Sequence, residues 1–108
     1  MKTRFMVLLA KGPSWDSTRL RRAQARWDEH AAFMDKLVAD GFVVLGGPLG
    51  EGDGDDGLLV IDAADKETIV SAFKDDPWIQ SETLEIKTIQ RWTIFLESDQ
   101  EKARIQIP

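Results

Sequence analysis

The chain has no cysteine in its 108 residues, which removes disulfides, thiolate metal sites and thiol nucleophiles together. That fits a reducing compartment, and a cytoplasmic location is expected. With a single histidine, no zinc site of His and Cys spacing can be assembled either. Long hydrophobic runs are missing: the longest, Phe5 to Ala10, falls far short of the ~20 residues a membrane-spanning helix requires. The basic start Met1-Lys2-Thr3-Arg4 precedes too short an apolar stretch, with no small-residue cleavage site, for a signal peptide. Four prolines, 31% charged and 43% hydrophobic residues argue against disorder and for one packed domain. Positive charge is in deficit, 14 basic against 19 acidic residues for a net −5, so neither nucleic acid nor membrane is an expected partner.

What is present is a regular alternation of elements. Phe5 to Ala10, closed by Gly12-Pro13, suits a strand buried on both faces. Asp16 and Ser17 are capping types, and a helical period is expected from there to Asp40, with Leu20, Ala23, Trp27, Ala31, Met34, Leu37 and Val38 on one stripe. Gly41 stands where a left-handed helix stop belongs. Phe42 to Leu45 and Leu58 to Ile61 read as strands joined by a glycine- and aspartate-rich loop. Asp65 is placed to cap a shorter helix running to about Lys74, which Pro77 ends. Leu84 to Leu96 reads as a long last strand whose side-chain parity slips near Thr88, the mark of a bulge.

The order β-α-β-β-α-β predicts an α+β, ferredoxin-like fold: an antiparallel four-stranded sheet with two helices on one face. The expected domain spans residues 1–96, with a tail at 97–108 and a marginal strand at Arg104 to Ile107. Strand one is apolar on both faces, Phe5, Val7 and Leu9 against Met6, Leu8 and Ala10. Two helices cover one face only, and monomers rarely leave so much apolar surface open. A homodimer through the free sheet face is therefore expected.

Chemistry can come from few places. On a helical wheel with Met34 at zero, His30 falls at roughly −40°, inside the apolar stripe with Trp27 at roughly +20°. A histidine there is either a satisfied core residue or a general acid–base. Asp76, held extended by Pro77 at the end of the second helix, is its natural companion, since a carboxylate on one ring nitrogen fixes the tautomer. The alternative is a solvated helix terminator. Arg19, Arg22 and Arg26 lie at roughly −60° to −120° in the same frame. They could hold an anion, or form a solvated face with Arg26 paired to nearby acids. Trp15, Trp27, Trp78 and Trp92 could line a pocket for a flat ligand, or pack the core.

Two motifs in the acidic loop are false. Gly52, Gly54 and Gly57 match GxGxxG but precede a strand, and the interspersed aspartates would repel a pyrophosphate. Asp53, Asp55 and Asp56 suggest a calcium loop, yet the position of its glutamate holds Ala64. A flexible acidic hairpin is expected instead. No GxSxG elbow appears, and no metal or cofactor is expected.

Three separated motifs carry a family resemblance: His30-Ala31-Ala32-Phe33-Met34-Asp35-Lys36-Leu37, then Gly41-Phe42-Val43-Val44-Leu45-Gly46-Gly47-Pro48, then Asp76-Pro77-Trp78. In them the chain resembles the YciI-like (YCII-related) proteins over about residues 4–96. The resemblance implies the dimeric α+β barrel fold, similar to muconolactone isomerase, and a His–Asp catalytic dyad at His30 and Asp76. Certain relatives eliminate chloride from chlorinated hydroxyquinols. Some members carry an arginine three residues before the histidine; here that place is Trp27, and Arg26 sits one earlier. The expected function is a small-molecule enzyme of isomerase, lyase or hydrolase type, with Arg26, Trp27, Pro48 and Trp78 as substrate-binding residues. The alternatives are a non-catalytic ligand-binding or regulatory dimeric domain, and a plain dimerisation module.

Overall fold

The computed structural model describes residues 3–51 and 56–98. Strand β1 (Thr3–Lys11) buries Phe5, Val7 and Leu9 on one face and leaves Met6, Leu8 and Ala10 half-buried on the other. It lies inside a four-stranded sheet with β2 (Val43–Pro48), β3 (Asp56–Ala63) and β4 (Leu84–Arg91), in the order β2-β3-β1-β4. Every pairing is antiparallel. Helices α1 (Trp27–Ala39) and α2 (Lys66–Phe73) complete the expected βαββαβ arrangement, and a short α3 (Pro77–Gln80) is added before β4.

The helices share one face of the sheet. Phe5, Val7, Leu9, Leu59 and Ile61 pack against Ile69 and Phe73 of α2, Trp78 of α3 and the half-buried Trp27, Phe33 and Met34 of α1. Each such side chain taken fully from water contributes about 1.5–3 kcal/mol. No described helix is long and apolar enough to cross a membrane.

The first helix is shorter than its sequence period suggests. It starts at Trp27 instead of Asp16, because Arg26 takes a left-handed backbone (φ 63°, ψ 24°) and breaks the register. Residues 16–26 form turns with one 3₁₀ turn at Arg21–Ala23, which leaves Leu20 74% exposed instead of in the stripe. The buried Gln24 makes those turns the better arrangement. Its amide donates to the Asp16 carbonyl (2.7 Å) and the Arg19 carbonyl (2.9 Å) and accepts from the Asp16 N–H (3.0 Å). Three satisfied backbone groups outweigh a propensity of tenths of a kcal/mol per residue. The helix ends as expected: Gly41 adopts φ 75°, its N–H reaches the Val38 carbonyl, and the Phe42 N–H reaches that of Leu37.

Two bulges decide which side chains face the helices. Opposite the consecutive pair Ile61 and Val60, β2 places Val43 and Leu45, so Val44 is extra. The parity reverses there. Gly46 and Pro48 turn to the helix side, while Leu45 is thrown to the far face, 67% exposed. Strand β2 therefore starts one residue later than expected and runs three residues into the expected loop. The second bulge is at Lys87, between the pairs Leu8–Thr88 and Leu9–Ile86, where the parity slip pointed. Strand β4 stops at Arg91, short of Leu96, and among the described residues the Trp92 N–H to Arg4 carbonyl bond is the last backbone bond from there to β1. Phe95 and Leu96 are consequently exposed. Gly52, Asp53, Gly54 and Asp55 of the acidic loop, and the strand expected at Arg104 to Ile107, lie outside the described residues.

Candidate active site

Pro77 sets the geometry from which the site is built. Its ring disfavours a helical Asp76, which takes an extended backbone (φ −72°, ψ 121°). Pro77 then occupies the first position of α3, where its missing N–H is not needed. The proline that ends one helix thus opens another. Asp76 caps it, its Oδ1 accepting the Trp78 N–H at 3.0 Å. The same Oδ1 lies 2.9 Å from Nδ1 of His30, on the first turn of α1 and 46 residues earlier. If that oxygen accepts, the ring proton lies on Nδ1 and Nε2 is the unprotonated nitrogen.

The pair is sealed from one side. Asp76 is fully buried, and its Oδ2 has no hydrogen-bond partner among the described residues. His30 is 6% exposed and lies flat on the indole of Trp78. On its open side is a cavity of about 300 Å³. Its wall is mainly apolar: Trp27 and Met34 from α1, Leu9 and Leu59 from the sheet, and the Gly46-Gly47-Pro48 segment. A Cβ at position 46 would sit 2.5 Å from Leu59 Cδ2, so any larger residue there must displace the Leu59 side chain. Among the described residues, His30 and Arg21 are the wall's charge-bearing side chains.

The fold brings His30 and Asp76 into contact and puts Trp27 and Pro48 on the same wall as His30. Trp78 is wholly buried behind His30, not on the wall. Arg26 also lies off the wall, pairing with Glu29 at 2.9 Å and donating to the Pro77 carbonyl at 3.3 Å. Arg19 pairs with Asp16, and Arg22 is exposed near the Trp27 ring. Trp15 packs edge-on to Trp78, and Trp92 is 40% exposed.

Arg21 and Gln24 were not legible as site residues. On a continuous helix Arg21 falls at roughly +140° from Met34, on the opposite face. Only the break at Arg26, which has no proline or glycine to announce it, turns Arg21 to the cavity. Asp16 finishes the loop. The Thr18 hydroxyl and N–H both donate to its Oδ1, and hold its carboxyl below the usual carboxylate range.

The model of the YCII-related domain matches residues 3–93. The chain belongs to the YCII-related domain family. No curated protein matches it. Among solved structures it is similar to 5-chloro-2-hydroxyhydroquinone dehydrochlorinase (TftG) from Burkholderia phenoliruptrix AC1100, in complex with 2,5-dihydroxybenzoquinone. The TM-score is 0.59 at 22% identity, covering 83% of this chain and 93% of that one. At that identity the likeness shows the fold alone, an antiparallel four-stranded sheet with helices packed on it.

Proposed function

We propose that this YCII-related protein is an enzyme that moves a proton on a small, largely apolar substrate, with His30 carrying the proton and Asp76 orienting His30. The observation that supports this best is the 2.9 Å contact between His30 Nδ1 and buried Asp76, directly beside a cavity that His30 lines. A buried histidine with no role needs one partner and no cavity. This one has its second nitrogen left for a ligand.

The chemistry needs no further group. Nε2 takes a proton from the substrate, and the electron pair left behind forms a new double bond. If a leaving group departs with its own pair, the reaction is an elimination; if the proton returns elsewhere, it is an isomerisation. The similar dehydrochlorinase acts on a chlorinated hydroxyhydroquinone, which directs the search towards halogenated hydroxylated rings, with lactones as the second class. General acid–base action supplies about 10²–10⁴ in rate, and positioning in the cavity must supply the rest.

The active unit is proposed to be a homodimer. Met6, Leu8, Leu58 and Leu45 lie on the sheet face opposite the described helices, and a second copy packed there would cover them.

The test is a turnover screen of halogenated hydroquinones and lactones with the unaltered protein, His30→Asn and Asp76→Asn. Turnover that falls at least ~10²-fold in both variants supports the reading. Turnover unchanged in both refutes it. Saturable binding without turnover of any compound identifies a ligand-binding domain instead.

A further inference from the structure

We infer that Trp78 is a positioning residue of the proposed proton transfer: its indole face steadies the positive charge that His30 acquires when Nε2 takes a proton from the substrate. The inference rests on the acid–base reading of the site and names the group that makes His30 a better proton acceptor there.

A proton taken up at Nε2 turns the imidazole into a cation, while the electron pair it leaves stays on the substrate. That cation forms where water is scarce, since His30 is 6% exposed and stands at a mainly apolar wall. A buried charge is costly unless protein groups replace the water it has lost. Asp76 does so at the edge of the ring, with Oδ1 2.9 Å from Nδ1. The two flat faces of the ring remain, and Trp78 covers one of them, stacked nearly parallel at 4.0 Å between centroids. The face of an indole is the best aromatic seat for a cation, because the ring quadrupole is negative there. Trp27 is also near, at 6.0 Å, but its ring is tilted by 50° and does not lie flat on the imidazole.

Trp78 is held where that face is useful. It is wholly buried and off the cavity wall, so ligand contact does not account for its place. Its backbone N–H donates at 3.0 Å to Asp76 Oδ1, the oxygen that also meets His30. Its Nε1 donates to the Ala25 carbonyl at 2.7 Å, and Trp15 packs edge-on against it at 5.7 Å. Carboxylate and indole thus come from one short segment, Asp76-Pro77-Trp78, and reach the imidazole from its edge and from its face. The other charged groups described around His30 do not take over the task. Arg26 and Glu29, at the same end of α1, pair with each other at 2.9 Å. Arg21, on the cavity wall, has the sign of an imidazolium and opposes it.

The experiment replaces Trp78 alone with 5-fluorotryptophan and 5,7-difluorotryptophan, which keep its shape and its Nε1–H while drawing charge from the ring face. Trp78→Phe and Trp78→Leu accompany them. His30 is the single histidine of the chain, so its Cε1–H resonance in proton NMR follows one titration unambiguously. The pH at which His30 gives up its proton should fall stepwise from the unaltered protein through the two fluorinated forms. It should fall furthest in Trp78→Leu, by roughly 0.5–1.5 pH units in all, the scale of a desolvated cation on an indole. Trp78→Phe, which keeps a smaller face, should lie between the unaltered protein and Trp78→Leu. Fluorinated forms that titrate with the unaltered protein overturn the inference whatever Trp78→Leu does, because fluorine leaves the packing in place. The readout is proton binding, so a stepwise fall without turnover of any compound upholds the role of the indole while the acid–base reading falls. Turnover that needs His30, with the titration unmoved by fluorine, does the reverse.

Discussion

The imidazole of His30 lies against the indole of Trp78 with ring centroids 4.0 Å apart and planes 6° from parallel. Trp78 is itself fixed, its Nε1 donating to the Ala25 carbonyl at 2.7 Å. One face of His30 is therefore covered by a ring that cannot turn, and one edge is held by Asp76. The remaining freedom of the imidazole is small. A proton carrier gains from that, because a ring held in its working orientation loses little entropy when a substrate arrives.

Asp76 has two tasks that substitution can separate. Asp76→Asn keeps an oxygen able to accept from both the Trp78 N–H and His30 Nδ1–H, so the protein should melt within a few degrees of the original. Asp76→Ala strips the cap from α3 and leaves His30 buried without its partner, at a cost of about 3 kcal/mol, the scale for breaking a buried pair. Turnover should fall by ~10²-fold or more in both. Thermal melts beside kinetics check this. Turnover that tracks the melting temperature, lost in Asp76→Ala and kept in Asp76→Asn, would leave Asp76 a structural cap alone.

Asp65 caps α2, its Oδ1 accepting from the Thr68 N–H (2.8 Å) and hydroxyl (2.7 Å). Those bonds, the hydroxyl first, hold its carboxyl below the ordinary carboxylate value. A carboxyl depressed in the folded state stabilises above its unfolded pKa and loses that contribution as pH falls through the folded one. Asp65→Ala should thus lower the melting temperature by a few degrees near pH 7. The gap should close as the medium is taken into the acid range where Asp65 itself is protonated. Asp65→Asn should keep the cap and remove its pH dependence. A gap between Asp65→Ala and the original that stays constant with pH would contradict the assignment.

The order of elements, the shared helix face, the Gly41 stop and the bulge near Thr88 were all legible because each has a local signal: periodicity, a glycine, or a parity slip. For His30 and Asp76 the topology set α1 and the end of α2 side by side and Pro77 aimed the carboxylate, but the contact itself was beyond the sequence and is given by the 2.9 Å distance. The break at Arg26 had no such signal. It depends on Gln24 outbidding the helix for three backbone groups, a tertiary effect that propensity does not contain. The loss of Arg21 from the sequence-derived site and the inclusion of Arg26 among substrate-binding residues follow from that one misplaced helix start, whereas Trp78 was misplaced because nothing local tells a tryptophan behind His30 from one on the wall. The bulge at Val44 was equally silent, and it decides that Gly46 and Pro48 rather than Leu45 face the cavity.

Leu45 gives the proposed dimer its simplest test. It stands on the far face beside Val60 and is 67% exposed in one chain. Leu45→Glu puts a charge where a second sheet would pack, and burying it unpaired costs several kcal/mol. Sedimentation should show a dimer for the original protein and a monomer for the variant, with each chain still folded by circular dichroism. A monomer before any substitution would remove the dimer from the proposal.

Gly57 lines the cavity where β3 lies between β1 and β2. It pairs with Leu9 and Pro48 in the sheet, and a Cβ built on it would lie 4.0 Å from Leu9 Cβ and 3.9 Å from the Gly47 carbonyl oxygen. That is ordinary van der Waals distance, so Gly57→Ala carries no clash. By removing the backbone freedom of glycine from the unfolded chain it should raise stability by about 0.4–1 kcal/mol. The same methyl group takes space from a cavity of about 300 Å³ that Gly57 lines. Stability and ligand capacity should therefore move in opposite directions, a combination that damage to the fold does not produce. Gly57→Leu, with a larger side chain at the same point, should reject two-ring ligands such as naphthoate before one-ring ligands such as benzoate. Melting curves and titrations on the two variants read both effects. Unchanged affinities for both ligand sizes would mean that ligands bind somewhere other than beside His30.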